Sequence, residues 1–234
     1  MSKQAVRERV WKLMERPGVG RFPGARGRIP NFVGAERAAE LLAELDEWKA
    51  ASVVKANPDA PQLPVRARAL QERKLLYMAV PRLREQKPFI QLDPSQLSGN
   101  VRAAASIKGA AKVGSPIAVG RMRHLDLVVC GSVAVNRKGA RVGKGGGFSD
   151  LEFGLLVEAG LIDERTIVAT TVHPVQLLDE VLPETAHDFP VDLIVTPDEV
   201  LRVRRRKRPK GIVWKDLDEA KIAEIPILAA RRRG

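Results

Sequence analysis

The residues best equipped for chemistry lie together in the segment Asn136-Arg-Lys-Gly-Ala-Arg-Val-Gly-Lys-Gly-Gly-Gly-Phe-Ser-Asp150. Four of five positions, Gly143, Gly145, Gly146 and Gly147, carry no side chain. Such a backbone can approach a ligand closely, adopt positive φ and turn successive N–H groups toward one point. Arg141 and Lys144 place positive charge beside those donors, and Asp150 stands where a helix should begin. Loop amides, two cations and a helix N-terminus together make a cradle for a polyanion such as a chain of phosphates. Neither the Gly-x-x-x-x-Gly-Lys-Ser/Thr loop nor the Gly-x-Gly-x-x-Gly fingerprint is present, so the cradle is of another type. Asp150 has a second reading, because Asp is favoured at helix N-caps.

Elements on either side must position this loop. Short apolar runs at 51–56, 75–80, 88–92, 125–135, 166–172 and 192–196 alternate with polar or helical segments. Runs that are continuously apolar, rather than alternating, indicate strands covered by helices on both faces. The spacing predicts helices over 3–15, 35–49, 65–73, 150–159 and 174–182, with a Gly/Pro/Arg-rich loop over 18–31. The expected fold is α/β, a three-layer α/β/α arrangement with a mostly parallel central sheet. In such sheets ligands gather at the carboxyl ends of the strands, where the 136–150 loop falls. Residues 1–201 read as one α/β domain and 202–234 as a basic C-terminal extension packed on the core.

Composition limits the alternatives. With 234 residues and 44% hydrophobic content, the chain can bury a substantial core, which excludes a disordered or fibrous protein. Its one cysteine, Cys130, lies in an apolar run and cannot form a disulfide within the chain. No run of 18 uncharged apolar residues occurs, and Met1-Ser-Lys-Gln-Ala-Val-Arg opens directly into a charged amphipathic pattern; a cytoplasmic protein without a membrane partner is expected. The net charge of +12 calls for an anionic partner or a solvated basic surface. Seven of the 40 basic residues lie in Arg202-Val-Arg-Arg-Arg-Lys-Arg-Pro-Lys210, which offers a nucleic-acid reading. No aromatic residue interleaves with that run to stack bases.

The segment Arg141-Val-Gly-Lys-Gly-Gly-Gly-Phe-Ser-Asp150 resembles the Arg-Leu-Gly-x-Gly-x-Gly-Tyr-Tyr-Asp signature of the 5-formyltetrahydrofolate cyclo-ligases, also called 5,10-methenyltetrahydrofolate synthetases. Lys3-Gln-Ala-Val-Arg7 is similar to that family's N-terminal Lys-x-x-x-Arg, and His187-Asp-Phe-Pro-Val-Asp-Leu-Ile-Val-Thr196 to its closing element. Arg28-Ile-Pro-Asn-Phe32, Asn57-Pro-Asp-Ala-Pro-Gln62, Thr170-Thr-Val-His173 and Gly211-Ile-Val-Trp214 resemble blocks of a divergent branch, the methenyltetrahydrofolate synthase domain-containing proteins.

The resemblance implies a Rossmann-like fold of the NagB/RpiA/CoA-transferase type and ATP- and Mg²⁺-dependent conversion of 5-formyltetrahydrofolate to 5,10-methenyltetrahydrofolate. Lys3, Arg7, Arg141 and Lys144 would neutralise phosphates, and Gly143 to Ser149 would line the nucleotide. Asp150 and Asp188 match the two metal-holding acids. Phe148 and Ser149 replace the paired tyrosines of the signature, while Asp59 and His173, with Phe148, are the residues placed toward a reduced folate. The competing expectation is a protein of the same fold that has lost folate activity and binds RNA or another small molecule.

Overall fold

The computed structural model describes residues 1–97 and 99–232. In chain order the first half contains α1 (Lys3–Met14), α2 (Ala35–Glu44), α3 (Asp46–Ala50), β1 (Val53–Ala56), α4 (Leu63–Gln71), β2 (Leu75–Ala79), β3 (Phe89–Leu92), α5 (Val101–Ala104), α6 (Ile107–Val113) and β4 (Ser115–Ile117). Then follow β5 (Leu127–Cys130), β6 (Ala134–Asn136), β7 (Arg141–Val142), α7 (Phe148–Glu158), β8 (Ile167–Thr171), β9 (Leu177–Leu178), β10 (Leu193–Val195), β11 (Val200–Arg202), α8 (Glu219–Glu224) and α9 (Pro226–Arg232).

The main sheet has the order β11-β10-β8-β5-β1-β2-β3-β4. Its five central strands, β10 to β2, are parallel, and β11, β3 and β4 pair antiparallel at the edges. Side chains alternate between two apolar clusters. Val54, Ala56, Leu76 and Val129 pack with α2 and α4, whereas Val53, Tyr77, Val128 and Ile194 pack with α7, α8 and α9. This is the expected three-layer α/β/α fold with a mostly parallel sheet.

The chain winds from β1 to β2 on one side and returns to β5 on the other, so the strand order reverses between β1 and β5. That switch point opens a crevice at the carboxyl ends, after Ala56 and Cys130.

Three expectations fail here, the first at 35–49, where an extended Leu45 divides the helix into α2 and α3. The run at 125–135 is not one strand: β5 ends at Cys130, and the chain re-enters a second, three-stranded sheet as β6, in the order β7-β6-β9. Residues 174–182 are not a helix but a single 3-10 turn, Pro174–Gln176, followed by β9. The Gln176 side-chain amide donates to the carbonyls of Ser132 and Val133 (2.8 and 3.1 Å), and Leu177 pairs in parallel with Val135. These sheet contacts override an apolar pattern too short to distinguish helix from strand.

The β6–β7 hairpin therefore delivers the glycine-rich loop. At its turn Gly139 has φ +80°, and a Cβ there would stand 2.5 Å from the Val191 carbonyl oxygen. Gly139→Ala is expected to destabilise the fold by about 3 kcal/mol, combining left-handed strain with overpacking. Chemical denaturation checks this, and an unchanged midpoint would exclude a tight turn here.

Candidate active site

The glycine-rich loop runs from β7 to α7 along the mouth of the crevice. Helix α7 begins at Phe148, two residues before the expected start, because the Gly147 backbone forms the cap without any side-chain hydrogen bond. Asp150 is consequently in the first helical turn rather than at the cap. Its carboxylate accepts from Arg141 Nη2 at 2.5 Å. The N–H groups that open α7 remain available to an anion.

Arg141 is buried on β7, its guanidinium 3.9 Å over the ring of Phe189, which in turn stacks on Phe153. Burial pushes the Asp150 carboxyl above its ordinary pKa, with Arg141 opposing, and the same pairing keeps the Arg141 guanidinium charged despite burial. Arg141 Nε is buried without a hydrogen-bond partner among the described residues, leaving a spare donor beneath the loop.

Helix α1 forms the neighbouring wall. Lys3 Nζ contacts both oxygens of Asp188, at 2.7 and 2.5 Å, and the Thr185 hydroxyl at 2.9 Å. Arg7 Nε donates to the Gly143 carbonyl at 2.7 Å. Gly145 holds φ +108°, a conformation that favours glycine, beside the Arg7 guanidinium. Across the cleft, Lys144 Nζ meets Asp59 at 2.7 Å. Each expected phosphate-binding cation is thus held by an acid or a carbonyl, giving an array of alternating charge.

These side chains line one cleft of about 1220 Å³, together with Asn57, Gly131, Phe148 and Ser149. All of the sequence-predicted site residues line it except His173. The correction for His173 is structural: Nδ1 accepts from the Val175 N–H at 3.2 Å as the cap of the 3-10 turn, and its ring meets Phe32 edge-on. Thr171 of the same block accepts from the Gln62 side-chain amide at 3.1 Å.

Sequence reasoning missed a buried ion pair that reaches the cleft through Asn57 and Glu152. Lys55 sits in β1 on the face shared with Val53 and is buried with Glu152 of α7, to which it is ion-paired. Lys55 also donates to Asn57 Oδ1 at 2.5 Å, and Asn57 Nδ2 donates to Ser149 Oγ at 3.2 Å. A lysine inside an apolar strand was the available signal, since buried charges require partners. Arg66 is likewise buried, donating to the Ala105, Asn57 and Asp59 carbonyls; burial lowers its pKa to about 10. It fixes the loop that carries Asp59.

Asp150 and Asp188 both line the cleft, and each one's charge is felt by Arg7. Among the described residues no cluster of three His, Cys, Asp or Glu side chains could hold a metal. A Mg²⁺ ion here would use these two carboxylates in place of their present partners Arg141 and Lys3 and draw its remaining ligands from phosphate oxygens and water.

Burial opposes ionisation of Asp188, but hydrogen bonds from Lys3 and the Thr185 N–H outweigh it and hold its pKa below the ordinary carboxylate value. The unfolded chain then binds more protons in that window, so stability rises with pH. The contribution of Asp188 is present above the unfolded carboxylate pKa and is lost as pH falls through the depressed folded value. Urea titrations across acidic pH should show a shallower acid loss for Asp188→Asn than for the wild type; parallel curves would remove Asp188 from the linkage.

The basic run after β11 is engaged within the chain. Arg202 pairs with Glu47, Arg206 with Glu184 and Arg208 with Asp192, while Arg205 donates to the Glu164 carbonyl. Four of its seven cations are therefore committed to contacts inside the molecule rather than forming a free polycation.

An α/β protein with a mixed-charge, glycine-lined cleft at its switch point is the class these features define. Residues 1–197 match the 5-formyltetrahydrofolate cyclo-ligase family. The chain belongs to that family. The methenyltetrahydrofolate synthase domain-containing protein of Bos taurus is 39% identical over 238 residues, covering 99% of this chain and 62% of its own length. Its Homo sapiens counterpart is 37% identical with the same coverage, so this chain spans about 62% of the length of those relatives. The solved Aquifex aeolicus 5,10-methenyltetrahydrofolate synthetase shares the fold at TM-score 0.56 and 22% identity, covering 88% of this chain and 95% of its own. Among the described residues no helix is long and apolar enough to cross a membrane.

Proposed function

We propose that this protein closes 5-formyltetrahydrofolate to 5,10-methenyltetrahydrofolate at the expense of ATP, releasing ADP and phosphate. The observation that carries the reading is the convergence of Lys3, Arg7, Arg141 and Lys144, with Asp150 and Asp188, on one glycine-lined cleft. A magnesium–nucleotide complex has the matching alternation: its phosphates would face these cations, and Asp150 and Asp188 would hold its metal. The volume of about 1220 Å³ exceeds the roughly 300–1,000 Å³ usual for one small ligand, which suits a nucleotide beside a second substrate.

The formyl oxygen is a poor leaving group until phosphorylated. It attacks the γ-phosphorus and ADP departs; N10 of the folate then adds to the formyl carbon and loses its proton, and the C–O bond breaks with phosphate leaving. The residues act as charge clamps rather than as a nucleophile. Lys3, Arg7, Arg141 and Lys144 balance negative charge as it shifts between γ-phosphate and formyl oxygen. The loop amides and the start of α7 orient the phosphates. Mg²⁺, held by Asp150 and Asp188, would neutralise phosphate oxygens. Phe148 and Ser149 bound the folate side, with one hydroxyl in place of the signature's two.

Protein mixed with 5-formyltetrahydrofolate, ATP and Mg²⁺ is expected to develop methenyl absorbance together with stoichiometric phosphate. No absorbance from a preparation that binds MgATP would reject the substrate assignment.

A further inference from the structure

We propose that the C-terminal segment 214–221 is a working part of the cleft, with Lys221 the positioning residue of the glycine-rich loop. The inference rests on the nucleotide reading only for its effect on ligand binding. This segment lies beyond the residues matched by the family, which end at 197.

Lys221 Nζ donates to the Gly146 carbonyl at 3.0 Å and sits 3.7 Å over the ring of Phe148. One ammonium thus grips both the loop backbone and the first residue of α7. In a trans peptide the C=O of one residue and the N–H of the next point to opposite sides. Pinning the Gly146 carbonyl therefore fixes the Gly147 N–H on the side away from Lys221. Arg7 does the same at the loop's other end, holding the Gly143 carbonyl and so orienting the Lys144 N–H. A run of glycines otherwise has the largest conformational freedom of any sequence, and a cradle of amides is effective only when those amides are already oriented.

The anchor for this grip is well built. Asp218 caps α8 by accepting from the Lys221 N–H at 2.6 Å, and Ile222, Ile225 and Leu228 are buried in the cluster that contains Phe153 and Leu155 of α7. The same segment also reaches the acidic wall: Asp216 lies 3.5 Å from His187, the neighbour of Asp188. Residues 214–221 therefore set both the phosphate side and the metal side of the cleft against one body. Lys221 also covers one face of Phe148, so a ligand ring can stack only on the other.

The test compares the wild-type chain with Lys221→Met and Lys221→Arg. Amide hydrogen exchange over 144–148, measured without ligand, is expected to accelerate about tenfold in Lys221→Met, the scale of one lost charge-assisted hydrogen bond, and to be restored in Lys221→Arg. The MgATP Kd should rise by a similar factor in Lys221→Met and recover in the arginine variant, with unchanged melting showing that α8 stays folded. Asp216→Asn should instead alter exchange over 185–189. Exchange in Lys221→Met equal to wild type overturns the positioning role. A wild type that binds no MgATP rejects the nucleotide reading, while the exchange result still decides the role of Lys221.

Discussion

Lys55→Met is expected to destabilise the protein by about 3–5 kcal/mol, among the largest effects of any single substitution in this fold. The reason is what remains behind. Glu152 is buried on α7 and loses its ion-pair partner, and Asn57 Oδ1 loses its donor, so a charge and a carbonyl are left unpaired in a low-dielectric interior. Removing both charges should reverse most of the loss, because a buried ion pair contributes little net stability against apolar residues of similar volume. The double variant Lys55→Met/Glu152→Leu is therefore expected to lie within about 1–2 kcal/mol of the wild type, and urea denaturation of the four proteins of the cycle measures the coupling. If the double variant is as unstable as Lys55→Met alone, the penalty comes from packing and not from the stranded carboxylate.

Arg141 produces the largest expected effect on ligand binding. Arg141→Met removes the partner of Asp150 and the charge beneath the loop, and should weaken MgATP by on the order of 100-fold, as truncation of a buried charge partner commonly costs 2–5 kcal/mol. Arg141→Lys should fall between the two. An ammonium keeps the charge, but it cannot donate from a planar fork or lie flat over Phe189 at 3.9 Å as the guanidinium does. Isothermal titration of folded variants with MgATP reads the series. Binding by Arg141→Met within threefold of the wild type would place the phosphates elsewhere.

The glycine-rich loop was legible because four bare positions, two cations and a helix start are local signals, and the buried strands because continuous apolar runs survive any register. The hairpin that carries the loop was not. Arg141–Val142 is two residues long, and no periodicity can be read from two residues. The helix expected at 174–182 failed for a related reason: the side chain of Gln176 turns away to cap the Ser132 and Val133 carbonyls, a contact 44 and 43 positions distant. Lys221 meets Gly146 across 75 positions, and nothing in its neighbourhood marks it apart from any exposed helical lysine. Lys55 is the exception among the missed residues, because a cation in the middle of a buried strand is itself a demand for an anion.

A contact between remote parts of the chain closes the cleft's acidic wall, where Lys3 meets Asp188, 185 residues away, and the same helix holds Glu180 through Arg9. Within this chain α1 is synthesised well before Asp188 and Glu180, the acids that its Lys3 and Arg9 meet. At 5–20 residues per second it waits roughly 10–40 s before they emerge. A closed cleft is therefore withheld until Asp188 and, for the role inferred for Lys221, the 214–221 segment have emerged, and a nascent chain halted before that point would hold much of the core but no closed cleft.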